Sequence, residues 1–198
     1  MEEFDDKSIN GDEPPESATG GGSQPRRKPA IGEVFEVDIA DAAYGGDGVG
    51  RHNGIVVMVR DALPGDRVEC VVVKRKKRHV EARIQKVVGE AQHRVAPRCE
   101  HAMQCGGCSW QHLDYSKQLE AKESQVREHL RRIGGIDEPN ILPIAGMDDP
   151  WRYRNKMEYA FYAMNDGGIR LGLHGKGRFD YVFDVNDCFL HSENCNAI

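Results

Sequence analysis

Three cysteines stand close together at Cys99, Cys105 and Cys108, and three others lie apart at Cys70, Cys188 and Cys195. Thiolates are soft ligands suited to zinc and to iron–sulfur clusters. The spacing Cys99-x5-Cys105-x2-Cys108 supplies three of the four ligands that a 4Fe-4S cluster requires. Gly106 and Gly107 between the close pair are expected to let the backbone curl, so that both sulfurs face one cluster. The fourth ligand must come from downstream. Cys188 follows a predicted strand that can fix its sulfur, whereas Cys195 lies three residues from the chain end, where fraying is expected. Cys188 is therefore the expected fourth ligand. Zinc is the competing reading, because His101, His112 or His191 could complete a Cys/His tetrahedron. Against zinc, the sequence holds no second tight pair, and the wider gap does not suit a knuckle.

Compartment bears on this chemistry. The N-terminus is acidic and without an apolar stretch, so no secretory signal is visible, and the longest aliphatic run, 55–59, is far too short to span a bilayer. A cytoplasmic location is expected, where thiols stay reduced and disulfides are rare. Six cysteines there point first to metal or cluster ligation. The net charge of −5 speaks mildly against nucleic acid, but residues 1–29 hold seven acidic groups against four Lys/Arg. Local basic patches must therefore be judged separately.

The elements that would position these groups fall into three stretches. Residues 1–29 are rich in Asp, Glu, Gly, Ser and Pro and read as a disordered tail. Residues 30–90 carry about five short strands, with alternation from Glu33 to Ile39. Asn53-Gly54 gives a hairpin signal between two strands, and Pro64-Gly65-Asp66 marks the next turn. The spacing predicts an OB-like five-stranded barrel. Residues 91–198 read as a small α+β unit, making the whole mainly β with an α+β part. Within it a helix starts at an Asp114 N-cap, with Tyr115, Leu119, Val126, Leu130 and Ile133 as its apolar stripe, and ends at Gly134-Gly135. Strands are predicted over 156–164, 170–174 and 181–185, with a turn at 165–168 and another at Gly175–Gly177.

Two segments have the composition of nucleic-acid contacts. Lys74, Arg75, Lys76, Lys77 and Arg78 follow one another between two barrel strands, where five cations repel unless phosphate neutralises them. A solvated hairpin tip is the blander reading. Trp151-Arg152-Tyr153-Arg154-Asn155-Lys156 mixes rings and cations as single-strand RNA readers do. Alternation there would set Arg152, Arg154 and Lys156 on one face and the aromatics on the other, where they could equally be core.

The stretch from Cys99 through Cys105-Gly106-Gly107-Cys108 and Trp110-Gln111-His112 to Tyr115 and the helix resembles the bacterial 23S rRNA (uracil-5-)-methyltransferases. So does Gly45-Gly46-Asp47-Gly48-Val49-Gly50-Arg51, which is similar to the glycine-rich strand turn of their TRAM domain. The resemblance covers about residues 31–191 and implies a TRAM barrel followed by a 4Fe-4S domain ligated by Cys99, Cys105, Cys108 and Cys188. It also implies RNA, notably 23S rRNA, as partner. The segment matching 151–156 lies near RNA in that family, which favours Arg152, Arg154 and Lys156 as contacts. S-adenosylmethionine and the catalytic groups are expected in a further domain, so no catalytic residue is assigned within this chain. Gly46-x-Gly48-x-Gly50 is not a methyl-donor loop, since no long helix follows it, and Cys70 reads as a core thiol. The expectation is an RNA-binding, cluster-bearing portion that is inactive alone, with no membrane association and no obligate protein partner evident. A stand-alone RNA-binding or redox-sensing iron–sulfur or zinc protein is the alternative.

Overall fold

The computed structural model describes residues 27–164 and 167–197, so the expected tail lies almost wholly outside the described residues. Strands β1 (Val34–Ala42), β2 (Gly48–His52), β3 (Ile55–Arg60), β4 (Arg67–Arg75) and β5 (His79–Gly89) close into a barrel in the order β1-β2-β3-β5-β4. β3 and β5 pair in parallel and the other neighbours antiparallel. The period-two pattern explains the core. Val37 and Ile39, Val57 and Val59, Val68, Cys70 and Val72, and Val80 and Ala82 all point inward and are buried together. Their β-branched side chains suit a pleated, enclosed surface.

Turn chemistry matches turn geometry. Asn53 and Gly54 have φ of 50° and 76°, the paired positive values that a two-residue hairpin of type I′ demands. The glycine run before it serves close packing. A Cβ on Gly50 would stand 2.5 Å from the Asp38 carbonyl oxygen, and one on Gly48 would stand 2.7 Å from that of Ala62. β2 can therefore lie this near its neighbours only without side chains.

Beyond the barrel come helix α1 (Tyr115–Arg132), a three-stranded antiparallel sheet of β6 (Ala160–Ala163), β7 (Ile169–Gly175) and β8 (Arg178–Phe183), and the single-turn α2 (Glu193–Asn196). Asp114 caps α1 as expected, accepting the Ser116 N–H at 2.9 Å. No α1 residue is fully buried, and Val126 and Ile133 of the anticipated stripe are exposed. The sheet also departs from expectation. The strand predicted over 156–164 shrinks to β6, and just before it Arg152 and Arg154 donate their backbone N–H groups to the Phe189 and Leu190 carbonyls at 2.9 and 2.8 Å. β8 starts three residues earlier than predicted, after a tight turn in which Gly177 takes φ of 68°.

A second small core joins barrel to cysteine segment, with Leu63 and Ala91 packed on Trp110 and Leu113. The Trp110 ring N–H donates to the Gly46 carbonyl at 3.0 Å. A side chain on Gly46, whose φ is +103°, would meet that ring at 2.9 Å. Among the described residues, no helix is long and apolar enough to cross a membrane.

Candidate metal centre and nucleic-acid interface

The cysteine loop is anchored at its base and along one edge. Cys105 forms an isolated bridge with Gly175 at the end of β7. Gly106 donates to the His174 carbonyl at 3.1 Å, and Lys176 donates to that of Gln104 at 2.8 Å. Cys105 packs with Leu173 and Phe183 in a third small core. Gly106 and Gly107 do not adopt the left-handed conformation that a tight curl would need. Their smallness is used for space instead. A Cβ on Gly106 would stand 3.2 Å from the His174 carbonyl oxygen, and one on Gly107 would stand 3.4 Å from Cys105 Sγ.

Cys99, Cys105 and Cys188 are buried and Cys108 half-buried. Burial raises the thiols of Cys99, Cys105 and Cys108 above their ordinary value, and the neighbouring cysteines add to this. Cys99 feels Cys108 and Cys188, Cys105 feels Cys188 and Cys99, and Cys108 feels Cys105 and Cys188. Thiols from two separate segments thus influence one another, so that an unmetallated set disfavours its own ionisation. Donors already face the sulfurs: Gly107 N–H reaches Cys105 Sγ at 3.3 Å and Gln111 Nε2 reaches Cys108 Sγ at 3.2 Å. Two cations soften the field, Arg154 toward Cys108 and Lys176 toward Cys105.

Among the described residues, no three His, Cys, Asp or Glu groups are gathered as they would be around one metal ion. The histidines that might have completed a zinc tetrahedron are engaged elsewhere. His112 Nε2 is 3.1 Å from the Asp61 carbonyl oxygen, and His191 sits between Tyr159 Oη at 2.6 Å and the Ser192 carbonyl. His101 lies beside Glu100 and packs on Phe183. Cys195 is exposed, with the Ser192 hydroxyl 3.2 Å from its sulfur. Cys70 belongs to the barrel core, as expected.

Lys74, Arg75, Lys76, Lys77 and Arg78 are all exposed around the β4–β5 turn. Lys28 joins them, its Nζ donating to the Lys76 and Lys77 carbonyls at 2.7 Å. Lys76 pairs with Glu81 at 3.4 Å. Among the described residues, no carboxylate pairs with Lys74, Arg75, Lys77 or Arg78.

The second basic segment does not present one cationic face. Lys156 is exposed and paired with Glu158 at 2.8 Å, and Arg154 is half-buried near the cysteine loop. Arg152 turns inward: its guanidinium binds Asp187 and the Cys188 and His191 carbonyls. This departs from the expectation of an RNA contact at Arg152, because its donors are used within the chain. Trp151 packs edge-on against Phe189 with Arg98 over its ring, whereas Tyr153 is 52% exposed. The expected alternation fails because 151–156 is not a strand. Sequence patterning gave no warning of this, although an acidic residue directly before Cys188 was a possible partner for Arg152.

Residues 29–85 match the TRAM domain family, and the barrel is that domain. Beyond it, the chain is homologous to RNA methyltransferases. It is 38% identical over 167 residues to an uncharacterized RNA methyltransferase of Nostoc, covering 84% of this chain and 36% of that one. With its counterpart from Bacillus cereus the identity is 35% over 166 residues, at the same coverage. A relative from Caldanaerobacter subterraneus is 43% identical over 132 residues, or 67% of this chain and 29% of that one. A solved tRNA (uracil-54, C5)-methyltransferase of Pyrococcus abyssi, in complex with S-adenosyl-L-homocysteine, is 26% identical, covers 81% of this chain and 34% of its own, and has a TM-score of 0.47. The chain thus spans little more than a third of the length of its curated relatives.

Proposed function

We propose that this chain is the RNA-binding, 4Fe-4S-bearing portion of an S-adenosylmethionine-dependent RNA (uracil-5-)-methyltransferase that acts on 23S rRNA. The observation that carries the cluster reading is that the loop with Cys99, Cys105 and Cys108 and the loop with Cys188 adjoin, Asn186 Nδ2 donating to Glu100 Oε1 at 3.0 Å, with three of the four thiols buried and the fourth half-buried. Four thiolates on one zinc ion would stand about 3.8 Å apart. A cubane gives each thiolate its own iron and spreads the sulfurs more widely. The imidazoles of His101, His112 and His191 are engaged elsewhere, which leaves the all-thiol set that a cubane uses. The Gly107 and Gln111 donors and the Arg154 and Lys176 charges favour an anionic cluster, because hydrogen bonds and net charge stabilise its sulfurs.

The TRAM barrel brings the RNA-binding side. Lys74, Arg75, Lys77 and Arg78, free of carboxylate partners among the described residues, offer phosphate contacts, with Lys76 in the same turn and Arg154 and Lys156 as further candidates near the cysteine loop. Tyr153 supplies an exposed ring for stacking. In this reading S-adenosylmethionine is the methyl donor, and the expected outcome for this chain by itself is RNA binding without methylation.

Anaerobically prepared chain should be brown and hold about four iron and four sulfide. A colourless protein with stoichiometric zinc overturns the cluster. For the substrate, ribosomal and transfer RNA stem-loops should be titrated in parallel. Tighter binding to transfer RNA would reassign the target.

A further inference from the structure

The loop 187–191, which presents Cys188, has no regular secondary structure of its own, yet the peptide groups around Cys188 are held by two side chains. Arg152 Nη1 donates to Asp187 Oδ1 at 3.1 Å, to the Cys188 carbonyl at 2.8 Å and to the His191 carbonyl at 3.1 Å, while Nη2 reaches Asp187 Oδ2 at 3.4 Å. The Phe189 ring lies 5.1 Å from the same guanidinium. Asn196 joins the same groups, its Oδ1 accepting the Cys188 N–H at 3.1 Å. Asn196 Nδ2 donates to the Cys188 carbonyl at 3.4 Å and to Asp187. The backbone at Arg152 takes φ of 54°, a left-handed conformation that a non-glycine residue keeps only where surrounding contacts over-determine it.

We propose that Arg152 is a positioning residue for Cys188: its guanidinium, together with Asn196, fixes the loop so that the fourth thiol is presented toward Cys99, Cys105 and Cys108. Neither group touches a sulfur. They act on the peptide groups that carry it, as outer-shell partners orient metal ligands. The planar fork is needed because one side chain must serve a carboxylate and two carbonyls at once, which a lysine ammonium on a flexible stem cannot reproduce. The consequence for cluster loading rests on the cluster reading above, whereas the positioning of Cys188 does not.

Two readouts separate them. In the metal-free chain, iodoacetamide modification of each thiol is followed by mass spectrometry. Arg152→Ala and Asn196→Ala should speed modification of Cys188 severalfold, with Arg152→Lys in between, while Cys70 and Cys108 keep their parental rates. In anaerobically reconstituted protein, the same variants should release iron to a chelator about 10–100 times faster than the parent. An unchanged Cys188 rate overturns the positioning role, and so does a general rise at every thiol, which would mark loss of fold. A faster Cys188 with unaltered iron release overturns the consequence for loading. If the parent chain takes up no iron, the cluster reading fails, and alkylation alone still decides whether Arg152 positions Cys188.

Discussion

Cys70 lies between Val68 and Val72 on the inner face of β4, and burial pushes its thiol up to about 11. At neutral pH it is protonated and enclosed, so it is a poor ligand and a poor nucleophile. Cys70→Ser should leave iron and sulfide content unchanged but lower unfolding free energy by about 1–3 kcal/mol, because a hydroxyl would be buried without a partner. Cys108→Ser, in contrast, should abolish the colour while the barrel still unfolds cooperatively. The distal pair divides the same way. Cys188→Ala should lose the cluster and Cys195→Ala should keep it, since Cys195 is exposed and its sulfur faces the Ser192 hydroxyl. Iron and sulfide assays with denaturant unfolding on the same four variants check all of this. Loss of iron from Cys195→Ala would mean that the chain end supplies the ligand.

The β4–β5 hairpin is a short element with a concentrated charge. Antiparallel pairing brings Lys74 opposite Glu81 and Arg75 opposite Val80, so the strands hold the cations at a fixed edge while the turn projects the remainder. Replacing Lys74, Arg75, Lys77 and Arg78 by Gln should weaken binding to all RNA sequences alike. Each lost phosphate contact should flatten the logarithmic salt slope by about 0.7–0.9. Tyr153→Ala should behave differently, costing about 1–3 kcal/mol of affinity if its ring stacks on a base, with little change in salt slope. Fluorescence anisotropy across a salt series tests both, and unaltered binding by the hairpin variant would remove the barrel edge from the RNA surface. Elements such as this hairpin were legible in the sequence because local rules govern them: alternation in β4, Asn53-Gly54 between β2 and β3, and the Asp114 cap on α1. Segment 151–159 was not legible. Its alternating rings and cations look like a strand, but Arg152 and Arg154 give their backbone N–H groups to Phe189 and Leu190, far along the chain, and no local pattern announces that pairing.

At the scale of the molecule, the four thiols depend on how the barrel is fastened to the segment that follows, and buried polar groups do much of the fastening. Asp66, fully buried in the turn before β4, accepts the Leu63 and Ala91 N–H groups at 2.7 and 2.8 Å and is paired with Arg94. Arg94 also bridges to Leu113, and His112 faces the Asp61 carbonyl oxygen. Sequence spacing marked Asp66 only as a turn residue, because its partner lies beyond the far end of the barrel. Both ionisable groups link this joint to pH. Burial alone would raise the Asp66 carboxyl, but hydrogen bonds from Arg94, Leu63 and Ala91 together hold it below its ordinary value of 3.8. Burial, with the Arg94 charge beside it, holds the His112 imidazole below its ordinary 6.5. For each group the unfolded chain takes up its proton first as pH falls, so stability present above the ordinary value is lost on the way down through the folded one. Unfolding free energy should therefore decline in two windows, one starting near 6.5 and one near 3.8. His112→Gln should remove the part of the first window that comes from this ring. Asp66→Asn should flatten the second, and Asp66→Ala at neutral pH should cost about 1–3 kcal/mol by leaving the Leu63 and Ala91 N–H groups and the half-buried Arg94 without their acceptor. Urea unfolding at intervals between pH 7 and 3 measures all three, and a parent curve flat from pH 7 to 5 would show that His112 does not carry the first window.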